Sequence, residues 1–416
     1  MPDTTATKAV RSFGIQGRQN SGRVLPGRRR NRSHKTGNLS MTASPSPIRF
    51  ILIGGFLGAG KTTTIARLAR AYQARGRKVG IVTNDQASDL VDTHTLRNQG
   101  FDVGEVAGAC FCCSFNDLTA AVAALEEGER PDIILAEPVG SCTDIVATVI
   151  QPLRRLYQDR FSVAPYGVIL KPAHGRRILG GEGKAGFSPK AAYIFRKQLE
   201  EADFLIVNRI DQLQPGEIDR VQQLLEQTAR GTPVVRISAK TGAGLEGLFE
   251  MLDRQGEFGT RILDLDYDVY AEGEAELGWL NSSLEVSSDT AFSLDDLLLG
   301  IVSNLRQALA SEDAEVAHLK TIGLWEGFHG VANLISSDAA PELSFPSNCE
   351  TRLAHVIVNA RVATSPQRLR ELVQAAVRQT CDALDAVAEF RQTQSFRPGR
   401  PVPTHRFDSA TESGGD

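Results

Sequence analysis

Long apolar runs, a strong net charge and a cysteine framework are all missing from this sequence of 416 residues. No stretch approaches the roughly 20 apolar residues that a membrane-spanning helix needs, so we expect no membrane partner. The formal net charge of −4 argues against a chain that binds nucleic acid over its whole length. Six cysteines are too few for a disulfide framework, and three of them lie within four positions. We therefore expect reduced thiols and a cytoplasmic protein.

The composition that is present is that of an ordinary globular protein, with 41% hydrophobic and 23% charged residues. The length exceeds one average domain, and we expect two domains, at 48–258 and 262–396, between disordered ends. Residues 1–47 carry nine lysines and arginines against one acidic residue, a composition typical of disorder. We expect Met41 to be the true start, and a transit peptide or a nucleic-acid-binding arm is the alternative. Residues 397–416, with proline, serine and glycine, are expected to form a disordered tail.

A phosphate-binding motif follows the first apolar run, at 48–53, and precedes a helix-forming segment at 61–72. The loop between them fits the pattern G-x-x-x-x-G-K-T. Glycines allow backbone N–H groups to approach phosphate oxygens, and the helix N-terminus adds its dipole. In this pattern the lysine reaches the outer phosphates, where we expect it to be catalytic, and the first threonine holds Mg²⁺. The predicted nucleotide-binding residues are Gly55, Gly58, Ala59, Gly60, Lys61, Thr62 and Thr63.

Short apolar runs continue to alternate with helical segments as far as about residue 255. They lie at 78–83, 103–106, 132–136, 166–170, 204–207 and 233–237. This alternation predicts an α/β fold in which helices cover both faces of a mostly parallel sheet. Ligands bind at the carboxyl ends of such strands, and the polar motifs follow these ends.

The pattern changes after about residue 262. There the sequence predicts strands at 276–286 and 355–358 and helices at 294–310 and 366–390. These elements indicate a smaller α+β domain.

A base-reading motif, Asn208-Arg-Ile-Asp211, follows a predicted strand. A carboxylate at Asp211 can accept both N–H groups on the guanine edge, which adenine does not present together, so we expect GTP. The usual pattern is Asn-Lys-x-Asp, and Arg209 replaces the lysine while keeping its charge. A second loop around the base is predicted at Ser238, Ala239 and Lys240.

Acidic residues at the ends of two other strands predict the magnesium site and the sensor of the γ-phosphate. Glu137 ends the strand that we expect beside the phosphate-loop strand, and it can hold a water bound to Mg²⁺. The Gly140 N–H can contact the γ-phosphate. Asp85 and Asp92 are candidates for the switch, although Asp92 is as well explained as a solvated residue. We expect Asp85 and Glu137 to be catalytic together with the phosphate-loop lysine.

Three thiols in four residues, Cys110-Phe-Cys112-Cys113, predict a site for a transition metal. Thiolates favour Zn²⁺ or Cu⁺ and, less commonly, Co²⁺ or Ni²⁺. Three ligands leave a tetrahedral ion one position short, which suits a metal that is passed on. Glu105 precedes the cluster and can complete it. Cys142 can approach the cluster, although the alternative that it is a buried helix residue is favoured.

The motifs GGFLGAGKTT at 54–63, Glu-x4-Cys-x-Cys-Cys, Glu-x-x-Gly and Asn-x-x-Asp together resemble the CobW-type GTPases, which are relatives of the nickel-insertion GTPases of urease and hydrogenase. The resemblance covers about 48–255 closely, whereas 262–390 is similar to the family's C-terminal domain only in position and coarse pattern. It implies GTP-dependent metal binding and delivery, with members connected to cobalamin synthesis or zinc supply. The sequence departs from the pattern at Asn84-Asp-Gln-Ala-Ser and at Lys171-Pro-Ala. It has no histidine-rich stretch, which argues against metal storage.

The resemblance and the motifs together predict a metallochaperone that hydrolyses GTP, with Mg²⁺ at the phosphates. Its transition metal is expected to be Zn²⁺, with Co²⁺ or Ni²⁺ as alternatives. The expected partner is a client metalloprotein or a protein of the cobalamin pathway, and a homodimer that depends on nucleotide or metal is left open. The alternative is a regulatory GTPase switch, in which a structural zinc only stabilises the cysteine loop and the C-terminal domain binds a partner.

Overall fold

The computed structural model describes residues 46–85, 91–181 and 188–410. Within these ranges the side chains of residues 85, 91, 92, 94 and 95 are outside the description. The basic arm expected over 1–47 lies outside the described residues except for its last two positions.

The first half of the described chain alternates strands with helices, as the sequence predicts. Its strands are β1 (Ile48–Gly54), β2 (Val79–Asp85), β3 (Val103–Ala107), β4 (Ile133–Glu137), β5 (Phe161–Val163), β6 (Gly167–Leu170), β7 (Phe204–Val207) and β8 (Val234–Arg236). Its helices are α1 (Lys61–Ala74), α2 (Val91–Asn98), α3 (Phe115–Glu127), α4 (Gln151–Leu156), α5 (Pro172–His174), α6 (Pro189–Glu201), α7 (Pro215–Thr228) and α8 (Leu245–Leu252). Short π-helical turns at Val146–Ile150 and Gly175–Leu179 and a 3₁₀ turn at Ile210–Gln212 complete this half.

These strands form one sheet in the order β3-β2-β4-β1-β6-β7-β8, with β5 paired to β1. The described pairings are parallel. The phosphate loop, the loops after β2, β3 and β4 and the base-reading loop therefore leave the sheet at the same edge. The predicted α/β fold is confirmed.

Burial on both faces explains why the strands are continuously apolar. In β1, Phe50 and Leu52 pack with α3 and α6, whereas Ile51 and Ile53 pack with α1 and α8. Successive side chains of a strand point to opposite faces, so a strand between two helical layers needs apolar residues at nearly every position.

The second half folds around an antiparallel sheet. Its elements are α9 (Tyr267–Ala275), β9 (Gly278–Ser293), α10 (Leu294–Ser311), β10 (Val316–Trp325), β11 (Phe328–Leu334), β12 (Glu342–Phe345), β13 (Glu350–Val362), α11 (Pro366–Ala383) and β14 (Val387–Phe396). The six strands follow the order β12-β11-β10-β13-β9-β14. Apolar residues of α10 and α11 form a core with this sheet, and the predicted second α+β region is confirmed.

The expected final helix at 366–390 is wrong in its last part. The helix ends at Ala383, and Asp385 turns the chain with a φ of 49°. The strand β14 then pairs with β9.

The described part of the expected disordered tail, 397–410, also needs correction. It forms no helix or strand but makes backbone hydrogen bonds to the first half of the chain, from Thr404 N to Cys112 O and from Phe407 N to Ala147 O. The sheets and this segment belong to one compact unit, Ser46–Asp416. Among the described helices, each is too short or too polar to cross a membrane.

Candidate functional site

The phosphate loop curves around the ammonium group of Lys61. Lys61 Nζ donates to Gly55 O at 2.9 Å and lies 3.5 Å from Phe56 O. Gly55 has a φ of 136°, and a Cβ there would come within 2.1 Å of Ile169 O. Gly60 has a φ of 97°, and a Cβ there would come within 2.3 Å of Asn208 Nδ2. Only glycine fits either position, as the sequence pattern requires.

The two groups predicted to surround Mg²⁺ are brought together. Thr62 Oγ1 donates to Glu137 Oε1 across 2.9 Å, between the start of α1 and the end of β4. Gly140, three residues later, lies against the phosphate loop, because a Cβ there would be 2.6 Å from Leu57 Cδ2. A hydroxyl and a carboxylate oxygen at this position suit Mg²⁺, which prefers oxygen ligands.

The base-reading loops are joined by Asn208, which is buried. Asn208 Nδ2 donates to Ala59 O at 2.9 Å, and Asn208 Oδ1 accepts from the backbone N–H groups of Arg209 and Ala239 at 2.8 and 2.9 Å. One side chain therefore connects the phosphate loop with both predicted base-reading loops. Asp211 is exposed in the 3₁₀ turn beside them.

A helix residue that the sequence reasoning missed also holds the second base-reading loop. Arg67 Nε of α1 donates to Ala239 O at 2.6 Å, and its Nη2 donates to Lys240 O. Ser238 Oγ accepts from Thr241 N at 3.1 Å. Thr63 is exposed at the start of α1.

Both sheets line the cleft above these loops, which has a volume of about 440 Å³. Its walls include the phosphate loop, Glu137–Gly140 and the base-reading loops on one side. The antiparallel sheet contributes side chains such as His318 and Lys320 of β10 and Arg361 of β13 on the other. The helices cover one face of that sheet, and its other face closes the cleft.

Ion pairs and hydrogen bonds fasten the antiparallel sheet to the nucleotide-site loops. Glu342 of β12 pairs with Lys240 at 2.7 Å and with Arg209 at 3.9 Å. Lys171, after β6, donates to Ile335 O, and its Nζ is 3.6 Å from where a Cβ on Gly58 would lie. Burial lowers the pKa of Lys171 well below its ordinary value. Sequence reasoning noted Lys171 only as a departure from the family pattern.

The switch region is described in part. The side chains of Asp85 and Asp92 lie outside the described residues. Asn84, immediately before Asp85, donates from Nδ2 to Val106 O and Ala109 O at 2.9 and 2.7 Å. Its Oδ1 accepts from Phe111 N at 2.8 Å. The end of β2 therefore holds the loop that carries the cysteines.

The three predicted thiols form a cluster whose sulfur atoms lie within 4.8 Å of one another. The Sγ–Sγ distances are 2.8 Å from Cys110 to Cys112, 3.4 Å from Cys110 to Cys113 and 3.7 Å from Cys112 to Cys113. Thiolates around a tetrahedral zinc ion are about 3.8 Å apart, so metal binding would open only the shortest pair appreciably. Glu105 is not part of the group, and its carboxylate pairs with Arg97 at 3.4 Å.

The cluster polarises its own thiols. Hydrogen bonds from Cys112 and Cys113 lower the pKa of Cys110 well below its ordinary value. The hydrogen bond with Cys110 raises the pKa of Cys112, and the same interaction raises the pKa of Cys113 to about 11. A thiolate is thus favoured at Cys110 over the other two thiols, and thiolate is the form that binds metals.

The C-terminal segment covers this loop. Thr404 N donates to Cys112 O and Thr404 Oγ1 donates to Cys113 O, both at 2.8 Å. The Val402 N–H donates to the Cys113 thiol, and the ring of His405 packs edge-on against Phe115 at 5.2 Å.

Residues 49–236 match the family model described as CobW/HypB/UreG, nucleotide-binding domain. The urease accessory protein UreG of Metallosphaera sedula is 28% identical over 217 residues, 48% of this chain and 91% of that protein. The zinc chaperone YeiR of Escherichia coli is 30% identical over 181 residues, 42% of this chain and only 51% of that protein. A crystal structure of HypB from Helicobacter pylori in complex with nickel is 17% identical, with a TM-score of 0.37; the alignment covers 51% of this chain and 92% of that one.

The parallel sheet and its phosphate loop define a P-loop nucleotide-binding protein. Residues 49–236 match the nucleotide-binding domain of the CobW/HypB/UreG family, the resemblance that the sequence motifs predict. The matched region includes the phosphate loop, the cysteine cluster and Asn208–Asp211.

Proposed function

We propose that this protein is a metallochaperone that binds and hydrolyses GTP, binds a transition metal at the cysteine loop and delivers it to a client protein in the cytoplasm. The observation that carries the proposal is the set of three hydrogen bonds by which Asn84 holds the cysteine loop. Asn84 directly precedes Asp85, the predicted γ-phosphate sensor, so a change at the end of β2 reaches the metal ligands through one side chain.

In this proposal each nucleotide-site residue has a distinct role. Lys61 contacts the outer phosphates, and Asp211 accepts from the guanine edge. Thr62 and Glu137 hold Mg²⁺, which supplies positive charge to the β- and γ-phosphates. The Gly140 N–H contacts the γ-phosphate, and Glu137 orients the attacking water.

The cargo in this proposal is Zn²⁺, with Co²⁺ and Ni²⁺ as alternatives, because all three bind thiolates. The names of the relatives support a metal-delivery role, since one is a zinc chaperone and another a urease accessory protein. The client is a metalloprotein or a protein of the cobalamin pathway. A homodimer that forms with nucleotide or metal is left open, and a measurement of the oligomeric state in each condition would test it.

The test is a metal competition titration with a GTP analogue, with GDP and without nucleotide. Thermodynamic linkage requires GTP to tighten metal binding by the factor by which metal tightens GTP, roughly 5- to 150-fold for typical coupling. Replacing Cys112 and Cys113 by serine should remove the coupling and leave nucleotide binding without metal intact. Equal metal affinities in all three nucleotide states would contradict the chaperone cycle.

A regulatory switch with a structural zinc is the second candidate. The C-terminal segment favours it, because Thr404 and Val402 cover the cysteine loop and would hinder release of an ion. In that case the metal should bind equally tightly in every nucleotide state and exchange slowly with a chelator.

A further inference from the structure

The antiparallel sheet presents two cationic side chains to the cleft, Lys320 of β10 and Arg361 of β13. We propose that these two side chains bind the outer phosphates of GTP, so that the second half of the chain recognises the γ-phosphate. This inference rests on the proposed GTP binding. It adds residues beyond the predicted nucleotide-binding motifs, all of which lie in the first half of the chain.

The position of β10 against the phosphate loop carries the assignment. A Cβ on Gly58 would lie 3.6 Å from both Ala317 O and His318 Cδ2 of this strand. The Nζ atom of Lys171 lies at the same distance from that Cβ position, and Lys171 also donates to Ile335 O just after β11. The start of β10 is therefore held directly beside the loop that is proposed to bind the phosphates.

Strand register places both cations on the same face of the sheet as His318. Lys320 follows His318 by two positions, and side chains two positions apart in a strand point to the same face. Arg361 is the cross-strand partner of His318 on β13, and directly opposed side chains share a face. All three side chains line the cleft. Two cations therefore flank the point at which the sheet approaches the phosphate loop.

The same face of the sheet is fixed at its other end to the base-reading loops. Glu342 of β12 pairs with Lys240 at 2.7 Å and with Arg209 at 3.9 Å. Across the strands, Asn333 of β11 is the partner of Glu342 on one side and of Lys320 on the other. The face therefore spans the nucleotide site from the base-reading loops to the phosphate loop, and its cations lie toward the phosphate loop.

The guanidinium group of Arg361 is preorganised. Its Nη1 donates to Leu280 O at 3.1 Å and to Ala360 O at 3.0 Å, and its Cζ lies 4.1 Å from the centre of the Trp279 ring. The planar guanidinium carries five N–H donors, a geometry that matches phosphate oxygens. Because the side chain is already held in place, binding an anion would require little further ordering.

The charge of the whole cleft also suits a triphosphate. The described residues that line it include seven lysines and arginines against three aspartates and glutamates. Two of the three carboxylates are engaged within the protein, Glu137 with Thr62 and Glu342 with Lys240. A cleft lined by charges of one sign concentrates ligands of the opposite sign, and the outer phosphates carry the charge that catalysis must balance. The antiparallel sheet supplies two of these cations.

The experiment compares the affinity of the full chain for a non-hydrolysable GTP analogue and for GDP, both with Mg²⁺. Lys320→Met and Arg361→Met each remove a charge while keeping much of the side chain's apolar stem. Each should weaken binding of the analogue by about 10- to 100-fold, the effect of losing a hydrogen bond to a charged group, and should weaken GDP much less. Lys320→Arg keeps the charge and should restore most of the affinity for the analogue.

The matched control is Arg352→Met, which changes an exposed arginine of β13 outside the described lining of the cleft. It removes the same charge from the same strand as Arg361→Met. Because this side chain does not face the nucleotide site, both nucleotides should bind as they do to the wild type.

The outcomes separate this inference from the proposed function. Wild-type affinity for the analogue in both methionine variants would overturn the phosphate contact and leave the proposed GTP binding intact. Equal weakening of the analogue and GDP in both variants would overturn recognition of the γ-phosphate. Absence of binding by the wild type would overturn the proposed GTP binding and this inference together. Thermal unfolding identifies any variant that fails to fold, and Lys320→Met decides the question if the buried Arg361 does not tolerate substitution.

Discussion

Arg406 donates from Nε to Asp144 Oδ2 across 2.8 Å and so fastens the C-terminal segment to the loop after β4. Asp144 is fully buried and also accepts from the Tyr267 hydroxyl at 2.8 Å. Arg406 Nη2 donates to Leu263 O at 2.9 Å. Asp144 lies two residues after Cys142. The C-terminal segment that covers the cysteine loop is therefore anchored to the loop after β4, close to Cys142.

Arg406→Gln should weaken this anchor. The variant leaves the Asp144 carboxylate buried without its cation, and removing one partner of a fully buried pair costs about 3–5 kcal/mol. Because the Arg406 side chain is 28% exposed, we expect a smaller loss, about 1–3 kcal/mol, in urea unfolding. Bound metal should also pass to a chelator faster. Arg400→Gln, which removes an exposed pair with Asp268, is the control and should change stability by about 0.5 kcal/mol or less.

Lys61→Ala should abolish GTP hydrolysis and greatly weaken nucleotide binding. The variant removes the charge that reaches the outer phosphates and the hydrogen bond to Gly55 O that shapes the loop. The measurements are phosphate release and titration with a fluorescent GTP analogue. Unchanged turnover would contradict the phosphate-loop assignment. Lys78→Ala, on the surface before β2, is the matched control and should leave hydrolysis unchanged.

Asp211→Asn should change the preferred base. The amide donates where the carboxylate accepted, so GTP should bind more weakly and xanthosine triphosphate should bind better than in the wild type. Competition between GTP and xanthosine triphosphate for each protein measures this change in base preference. Equal competition by GTP and ATP in the wild type would refute guanine selection before any variant is made.

Local patterns made the nucleotide half predictable. The phosphate loop depends on glycines and a lysine within eight positions, and each apolar run marks a strand buried on both faces. A parallel sheet then places the loops after β1, β2, β3 and β4 at one edge without further information. Period-two alternation at residues 317–320, where Ala317 and Leu319 are buried and His318 and Lys320 face the cleft, could have revealed β10.

Long-range contacts could not be predicted from such patterns. Thr404 donates to Cys113 O across 291 positions, and nothing in the proline-containing tail points to that partner. The role of Asn84 depends on the register of β2 against β3, which pairs Asn84 with Val106. The expectation that Glu105 joins the cysteines considered their separation along the chain but could not foresee Arg97, which engages the carboxylate.

Lys171 predicts how stability depends on pH. Burial is the largest cause of its lowered pKa, and the charges of Arg209 and Arg177 lower that pKa further. At a pH between its folded-state pKa and its ordinary pKa of 10.5, Lys171 is protonated in the unfolded chain but not in the native protein. The unfolded chain therefore binds more protons. Stability should therefore rise with pH across that window, by up to ~1.4 kcal/mol per unit for this one group.

Lys171→Met should flatten this rise, because methionine fills a similar volume and carries no proton. The variant loses the donor to Ile335 O, which costs about 1 kcal/mol, but it also removes the cost of a cation buried beside two arginines. The measurement is the free energy of unfolding in urea at pH 7, 8, 9 and 10, without nucleotide or metal. Lys78→Met, which changes an exposed lysine paired with Glu129, should keep the wild-type slope. Parallel curves for wild type and Lys171→Met would show that Lys171 titrates alike in the folded and unfolded states, against the prediction.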